Sequence, residues 1–591
     1  MASPRVPATI AALLMVSMMT LPHAQSVGTR RPRPGDRPAG NPASTRSVVM
    51  ARHGMIATSQ PLASAAGLKV LEEGGNAIDA AIAAASVLAV VEPTMTGVGG
   101  DLFALVYDAK TKRLSGLNAS GRSAYAATPE RLASRGLTSM PNAGVHSITV
   151  PGTVDGWATL AGAYGTLPLS RLLAPAIDYA NHGYAVSEII SGQWEASASK
   201  LRTDPAAART FLPGGSAPRP GDIFSNPNLA LTLQQIADHG RDAFYKGPIA
   251  AAIVADLKKR GGLLEVRDFA EHASDWVDPI TTSYRGYDVY EMPPNTQGFV
   301  VLEMLNILEG YDIKSLGHNS AEYLHLLIEA KRIAFADRAA FLGDPEYVPQ
   351  SVLKTLTSKA YAAGRRAEID PARAAPSYAP ARLAVSDARP PAAAATTTAK
   401  LFEDLTGRDR GDTIYMTVAD GHGNIVSLIQ SLFSDFGSGI VAGDTGIVLH
   451  NRGSLFTLAP GHPNQLAPHK RPLHTLIPAF VMKDGKPLLS FGVMGGDHQA
   501  QGQAQVLVNL IDFGMNVQEA GEAARINHGG GGISVESAVS ESARSGLVRR
   551  GHAVSPGFGA FGGFQGILID PQTGVYLGGS DPRKDGLAIG Y

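Results

Sequence analysis

The sequence predicts an α+β fold built in layers, and three stretches carry that expectation. Residues 413–418, TIYMTV, alternate side chains as a half-buried strand does, and after the turn Asp420-Gly421-His422-Gly423 comes a second β-rich run, Ile425 to Leu432. The two runs read as a hairpin. Residues 77–91 are nearly all Ala, Ile, Val and Leu, and a helix that is apolar all round has to be buried between other layers. Most of the chain from 150 to 370 carries helical spacing instead.

Composition narrows the functional classes. The chain has 591 residues, of which 44% are hydrophobic and 17% charged, with a formal net charge of -1. That length buries a sizeable core, and without a long basic run nothing points to nucleic acid. There is no cysteine, which removes disulfides, thiol nucleophiles and thiolate metal ligands together. The 16 histidines show no HExxH or similar ligand spacing, and no GxSxG elbow occurs. Gly557, Gly559 and Gly562 fit a dinucleotide fingerprint formally, but no βαβ unit surrounds them. The Gly97 to Gly100 turn lacks the Lys-Ser/Thr of a phosphate loop. No cofactor and no metal are expected.

In chain order, residues 1–24 combine Arg5, an apolar run from Ile10 to Leu21 and the small Ala24 before a polar chain. This pattern predicts a secretory signal peptide, because an apolar core of about 12 residues is short of the roughly 20 that a spanning helix needs. The expectation is a secreted or periplasmic protein with no membrane segment once the leader is gone. Residues 25–47, rich in Pro, Gly and Arg, predict a disordered leader. Order is expected from Val48, with a strand, a helix from Leu62 stopped at Gly74-Gly75, the buried helix, and a strand from Leu102 to Tyr107. Arg122 follows in a glycine-flanked loop, where its planar fork suits a carboxylate; a structural salt bridge is the competing reading. Residues 221–250 and 284–313 read as loops, a strand and helices, with Leu302, Leu305 and Leu308 as core and no chemistry assigned. Residues 375–400 are low in complexity and rich in proline, a mobile segment placed just before the hairpin.

Thr413 leads that hairpin. A threonine hydroxyl inside a chain is a poor nucleophile, but cutting the peptide bond before it frees an α-amine of pKa roughly 7.7 to 8.0. That amine can act as the base for its own side chain. Thr396 to Thr398 are rivals with no following strand to hold them. Arg410-Gly411-Asp412 spells an adhesion tripeptide, read as coincidence because it sits on the proposed junction.

The motifs DTIYMTVADGHGN, FGSGIVAGDTGIVLHN, KRPLHTLIPAFV, GVMGGD and SDPRKDGLAIGY, in this order, resemble the gamma-glutamyltranspeptidase family of N-terminal nucleophile hydrolases over nearly the whole mature chain. The resemblance implies a four-layer αββα sandwich, made as one precursor and cut before Thr413 into a large subunit (48–412) and a small subunit (413–591). It makes Thr413 the nucleophile and puts Ser431 where the family has a threonine whose hydroxyl contacts the nucleophile. Gly495 and Gly496 take the place of the glycine pair whose N–H groups stabilise the oxyanion. A family arginine near Arg122 grips the substrate's α-carboxylate, although an ungapped match from Thr128 puts that arginine at Ser120.

The departures from the family pattern bear on substrate. Phe433 stands for an Asn, Arg452 for a Gln, Leu455 for an Asp, and His474-Thr475 for a double serine. Those family side chains hold the α-amino group of a glutamyl moiety; without the Asp an ammonium loses its counter-ion, and a nearby Arg repels it. Arg122, Arg452, His474 and Thr475 are the substrate-binding candidates. The stretch from Phe456 to Lys470 is shorter than in bacterial transpeptidases, which predicts no lid over the glutamyl site. The resemblance implies a gamma-glutamyl hydrolase or transferase acting on a small acyl amide. Two alternatives stay open, a dicarboxylic-acyl amide acylase of the glutaryl cephalosporin type and an uncleaved secreted binding protein on the same scaffold. A higher oligomer is also left open.

Overall fold

The computed structural model describes Met1 and residues 46–383, 411–529, 532–557 and 561–591. The expected signal peptide, the leader up to residue 45, the proline-rich segment from residue 384, Thr396 to Thr398, Arg410 and Gly559 lie outside the described residues.

Two sheets of seven strands each form the middle of the molecule. From edge to edge, the first runs Leu587–Gly590, Met55–Thr58, Gly411–Ala419, Ile425–Ser434, Asp101–Asp108, Arg113–Asn118, Asp275–Val277. The second runs Val49–Ala51, Tyr576–Ser580, Gly563–Ile569, Lys486–Met494, Ala479–Lys483, Tyr287–Glu291, Ile280–Tyr284. Neighbouring strands in both are antiparallel. Because side chains alternate along a strand, each sheet has two apolar faces to cover. Ile414, Met416, Val418, Val426 and Leu428 point away from the second sheet into a cluster with helices. Leu489, Phe491 and Val493 do the same on the other side. Between the sheets lies a third cluster that includes Phe103, Tyr415, Ile429, Phe480 and Met494. The result is the αββα sandwich that the family resemblance implied.

The helix Ala77–Val91 is buried at every residue, as its composition demanded. Its start is fixed by a capping box between Asn76 and Asp79, which satisfies N–H groups left over at a helix start. Small alanine side chains let it lie close under the sheet, beside the helices Pro61–Glu72 and Leu169–His182. On the other side the helices Gly298–Leu308, Ala321–Phe341 and His498–Ile511 form the outer layer. Leu302, Leu305 and Leu308 are core, as expected. Among the described residues no helix is long and apolar enough to cross a membrane.

The sandwich determines where Thr413 points. Thr413, Tyr415 and Thr417 share the inner face: Thr417 shares a hydrogen bond with Ser490 across the gap at 2.6 Å. One step along, the Tyr415 ring lies over Gly492, where a Cβ would come 2.4 Å from a ring carbon. By the same two-residue period, Thr413 faces the chain just past Met494. Gly411–Ala419 and Ile425–Ser434 are inner strands of the sheet rather than an edge.

A buried acid is expected to make the fold pH-sensitive. Glu291 ends its strand fully buried, and neither carboxyl oxygen has a hydrogen-bond partner among the described residues. Burial raises its pKa well above the ordinary carboxyl value. The fold therefore holds this proton more tightly than the unfolded chain does, and the associated stability is full at low pH and declines as pH rises towards the folded pKa. Glu291→Met, similar in volume and unable to titrate, is expected to raise the thermal unfolding midpoint, by more at pH 8 than at pH 5. An equal shift at both values in scanning fluorimetry would show that the fold does not raise the Glu291 pKa above that of the unfolded chain.

Candidate active site

The hairpin ladder slips beside Thr413. Asp412 pairs with Phe433 and Ile414 with Gln430, so Ser431 and Leu432 together oppose the single Thr413. Such a bulge re-aims side chains and releases backbone groups from the ladder. The Leu432 N–H accordingly goes to the carbonyl of Met95. Phe433, with φ of 80°, then turns the strand, an uncommon conformation for a residue with a Cβ.

The bulge brings three donors onto the Ser431 hydroxyl. Thr413 Oγ1 donates to Ser431 Oγ at 3.3 Å, the Phe433 N–H at 2.7 Å and Arg452 Nη2 at 3.2 Å. Thr413 and Ser431 are both buried. Arg452, in the short helical turn Arg452–Leu455, has no solvent exposure. Its Nη1 donates to Thr475 Oγ1 at 3.0 Å, and its guanidinium lies 4.5 Å over the Phe433 ring. A cation over an aromatic face is favourable, most of all when desolvated.

Behind Arg452 stands Asp101, which lies opposite Ser431 in the ladder. Asp101 Oδ1 accepts the Gly121 N–H at 3.0 Å, and Oδ2 lies 3.2 Å from His474 Nε2. The tautomers follow from the backbone. His474 Nδ1 accepts the Leu476 N–H and His450 Nδ1 accepts the Arg452 N–H, so in each neutral ring the proton sits on Nε2. His474 donates it to Asp101, and His450 to the Thr149 carbonyl. Burial, reinforced by Arg452, pushes His474 down to about 3, and burial also lowers His450. Burial lowers Arg452 to about 9, with Asp101 opposing, so the guanidinium is charged at neutral pH. For Asp101 burial alone would raise the carboxyl, but His450, the His474 hydrogen bond and Arg452 together hold it below its ordinary value.

Gly495 and Gly496 form the turn between the strand Lys486–Met494 and the helix His498–Ile511, with φ of 118° and 56°. A Cβ at Gly495 would come 3.1 Å from the Gly562 Cα, so both conformation and space call for glycine. Neither N–H has an acceptor among the described residues. The turn is tied to the hydroxyl group by Gln297, whose Nε2 donates to the carbonyls of Thr475 at 2.9 Å and Gly496 at 3.1 Å. Arg338 fixes the other end of that amide at 2.9 Å and pairs with Asp497 at 2.7 Å.

Of the residues singled out in the sequence, Thr413, Ser431, Arg452 and Thr475 form one hydrogen-bonded chain that Gln297 extends to Gly496, and His474 lies beside it, bonded to Asp101. Both nitrogens of His474 and the Thr475 hydroxyl are committed to protein partners. Arg122 stands apart and lies 3.6 Å from Asp275, the salt-bridge reading. The guanidinium beside Ser120, where the ungapped match puts the family arginine, is that of Arg471. Its Nε donates to the Ser120 carbonyl at 2.9 Å and its Nη1 to Asp275 at 2.5 Å.

The sequence reading missed Asp101, His450, Gln297, Arg338 and Arg471. Gln297 lies in a block to which no chemistry was assigned, and Arg471 inside the quoted motif KRPLHTLIPAFV. Away from this site, His325, Glu329 and His552 lie close enough together to hold a metal ion. Each already has protein partners there, with His325 and His552 joined at 2.8 Å and Glu329 accepting from Tyr378 at 2.7 Å.

If the Ser431 hydroxyl orients Thr413, Ser431→Ala is expected to lower kcat by about tenfold to a thousandfold with little change in KM. Steady-state kinetics with kcat unchanged would return Ser431 to a structural role.

Comparison with known proteins places this geometry. The profile of the family described as Gamma-glutamyltranspeptidase matches residues 63–591. The chain is 40% identical over 548 residues to the glutathione hydrolase-like YwrD proenzyme of Bacillus subtilis (strain 168), covering 91% of this chain and 98% of that protein. It is 36% identical over 545 residues to the acylase ACY 1 proenzyme of Pseudomonas sp. (strain SE83), covering 91% and 93%. The crystal structure of cephalosporin acylase from Bacillus halodurans superposes with a TM-score of 0.85 at 41% identity, over 94% of this chain and 99% of that one. With a family match and near-complete coverage of its relatives, the chain belongs to the gamma-glutamyltranspeptidase family.

Proposed function

We propose that the protein is an exported proenzyme that cuts itself between Asp412 and Thr413 and then hydrolyses the amide of an acyl group that carries no α-ammonium. The observation that carries the reading is the Thr413 hydroxyl, turned to the inner face opposite the bulge and bonded to Ser431 at 3.3 Å. In turnover Thr413 Oγ attacks the amide carbonyl while its own α-amine takes the hydroxyl proton. The Gly495 and Gly496 N–H groups hold the oxyanion that forms only in the tetrahedral intermediate. The amine returns the proton to the departing nitrogen, leaving an acyl ester on Thr413. Water, deprotonated by the same amine, cleaves that ester and restores the hydroxyl. The leader of residues 1–24 supports export to a secreted or periplasmic location.

The choice of acyl group rests on what surrounds Phe433. Leu455 is buried in the same apolar cluster as Phe433, and the charge against that ring is the cation Arg452. An ammonium placed there would meet a like charge and no carboxylate, and an unpaired buried charge costs several kcal/mol. Acylases among the relatives fit this reading. A gamma-glutamyl hydrolase or transferase is the second reading, favoured by the resemblance to the glutathione hydrolase-like proenzyme.

The expected outcomes concern cleavage and selectivity. Purified protein gives two bands on a denaturing gel, the smaller beginning Thr-Ile-Tyr-Met by Edman sequencing, while Thr413→Ala stays one inactive chain. Any other N-terminus would remove Thr413 from the mechanism, and an uncut wild type would favour a binding protein. On paired anilides, the glutaryl amide is expected to react at least as well as the gamma-glutamyl one. Leu455→Asp is expected to shift the kcat/KM ratio about tenfold towards the glutamyl compound, the equivalent of about 1.4 kcal/mol. A wild type that preferred the glutamyl compound a hundredfold would mean that another acid supplies the counter-ion.

A further inference from the structure

A base that is also an N-terminus poses a problem of pH. An ordinary terminal amine, with pKa of roughly 7.7 to 8.0, is mostly protonated at neutral pH and then cannot take the hydroxyl proton. A positive charge nearby disfavours the ammonium form and lowers that pKa. The fold supplies such a charge two hydrogen bonds from the Thr413 hydroxyl, where Arg452 holds Ser431 and Ser431 holds Thr413.

We propose that Arg452, with Asp101 as its counter-ion, is a positioning residue that sets the basicity of the Thr413 amine. Its fork holds the Ser431 and Thr475 hydroxyls, and its buried charge keeps the amine neutral below the pH at which a free terminus would be. The proposal rests on the reading of Thr413 as the nucleophile.

The groups facing this position from other elements are consistent with Arg452 as the main fixed charge. His450 and His474 accept backbone N–H groups at Nδ1 and are neutral. On the strand Tyr287–Glu291, burial raises the Glu291 carboxyl well above its ordinary value. On the strand of Thr413 itself, burial raises the Tyr415 phenol. At the start of the helix after the glycine turn, His498 is lowered to about 3 by burial. Beyond Gln297, Arg338 and Asp497 neutralise each other at 2.7 Å. Lys331, on the same helix as Arg338, is the other cation to control for, because burial lowers it to about 7.

The arrangement makes a prediction of opposite signs, read on the acid limb of kcat/KM against pH for the processed enzyme. Arg452→Gln removes the charge, and the limb is expected to move up by about one pH unit. Asp101→Asn removes the counter-ion and leaves Arg452 in place, so the limb moves down. Arg452→Lys keeps the charge and loses the fork, so kcat falls while the limb stays near wild type. Lys331→Met leaves the limb in place.

Profiles that differ only in height, a limb for Asp101→Asn at or above the wild-type pH, or a limb abolished by Lys331→Met would each overturn the proposal. If Arg452→Gln stays a single chain, Asp101→Asn and Arg452→Lys still decide the sign. Failure of the underlying reading shows separately, as cleavage or activity that survives in Thr413→Ala.

Discussion

A guanidinium with no solvent exposure is the interaction on which the site depends. Removing a cation from water costs several kcal/mol unless charge, hydrogen bonds and polarisable surface replace the solvent. Arg452 has all three: Asp101 supplies the opposite charge, Ser431 and Thr475 accept two of its protons, and Phe433 offers its ring face. Those partners come from three separate parts of the chain, and Arg452 itself from a fourth. Satisfying one buried charge therefore fixes the end of the hairpin, the start of the strand Asp101–Asp108, the Arg452 turn and the Thr475 loop in register with one another. The neutral histidines beside Asp101 are part of the same solution. A protonated His474 would add a second cation beside the first, and burial with Arg452 keeps it neutral.

The frame around this charge is the period of the strand. One face of Gly411–Ala419 buries Ile414, Met416 and Val418 under helices, which leaves Thr413, Tyr415 and Thr417 no choice but the gap between sheets. Gly492 makes room for the Tyr415 ring, so the two sheets approach closely just before Thr413. A one-residue slip of the hairpin would exchange the faces. The slip that does occur is confined to the bulge at Thr413, and it brings Ser431 onto the threonine without disturbing the ladder beyond.

The sequence made the layers legible because their signals are local. An alternating hairpin, a helix without a polar face and a glycine stop each carry their own physical reason, and the helix Ala77–Val91 begins and ends where its composition said. Thr413, Ser431 and the glycine pair were legible through quoted motifs. Asp101 and Gln297 were not, because their roles arise from pairing across distances no window covers: Asp101 meets Ser431 through the ladder and His474 across the sandwich. Arg122 shows the opposite case. A fork in a glycine-flanked loop looks like a carboxylate ligand, and it has found a carboxylate, that of Asp275. His474 and Thr475, read as substrate contacts, are turned to the protein and serve Asp101 and Arg452.

The same pairing bears on what a cut before Thr413 would do to the molecule. Met55–Thr58 lies between Leu587–Gly590 and Gly411–Ala419, and Ile425–Ser434 pairs onward with Asp101–Asp108. In the second sheet Val49–Ala51 pairs with Tyr576–Ser580, and Tyr287–Glu291 with Ala479–Lys483. Segments from either side of the junction thus pair with one another in both sheets, and the three apolar clusters each draw on both. Breaking one peptide bond would remove a covalent link while leaving these ladders and the buried apolar surface intact. The pieces on either side would share a single core, and neither could leave without exposing it. The proposed amine at Thr413 would appear in a site already held in place by Arg452 and Ser431, so maturation would create the base without having to build the pocket.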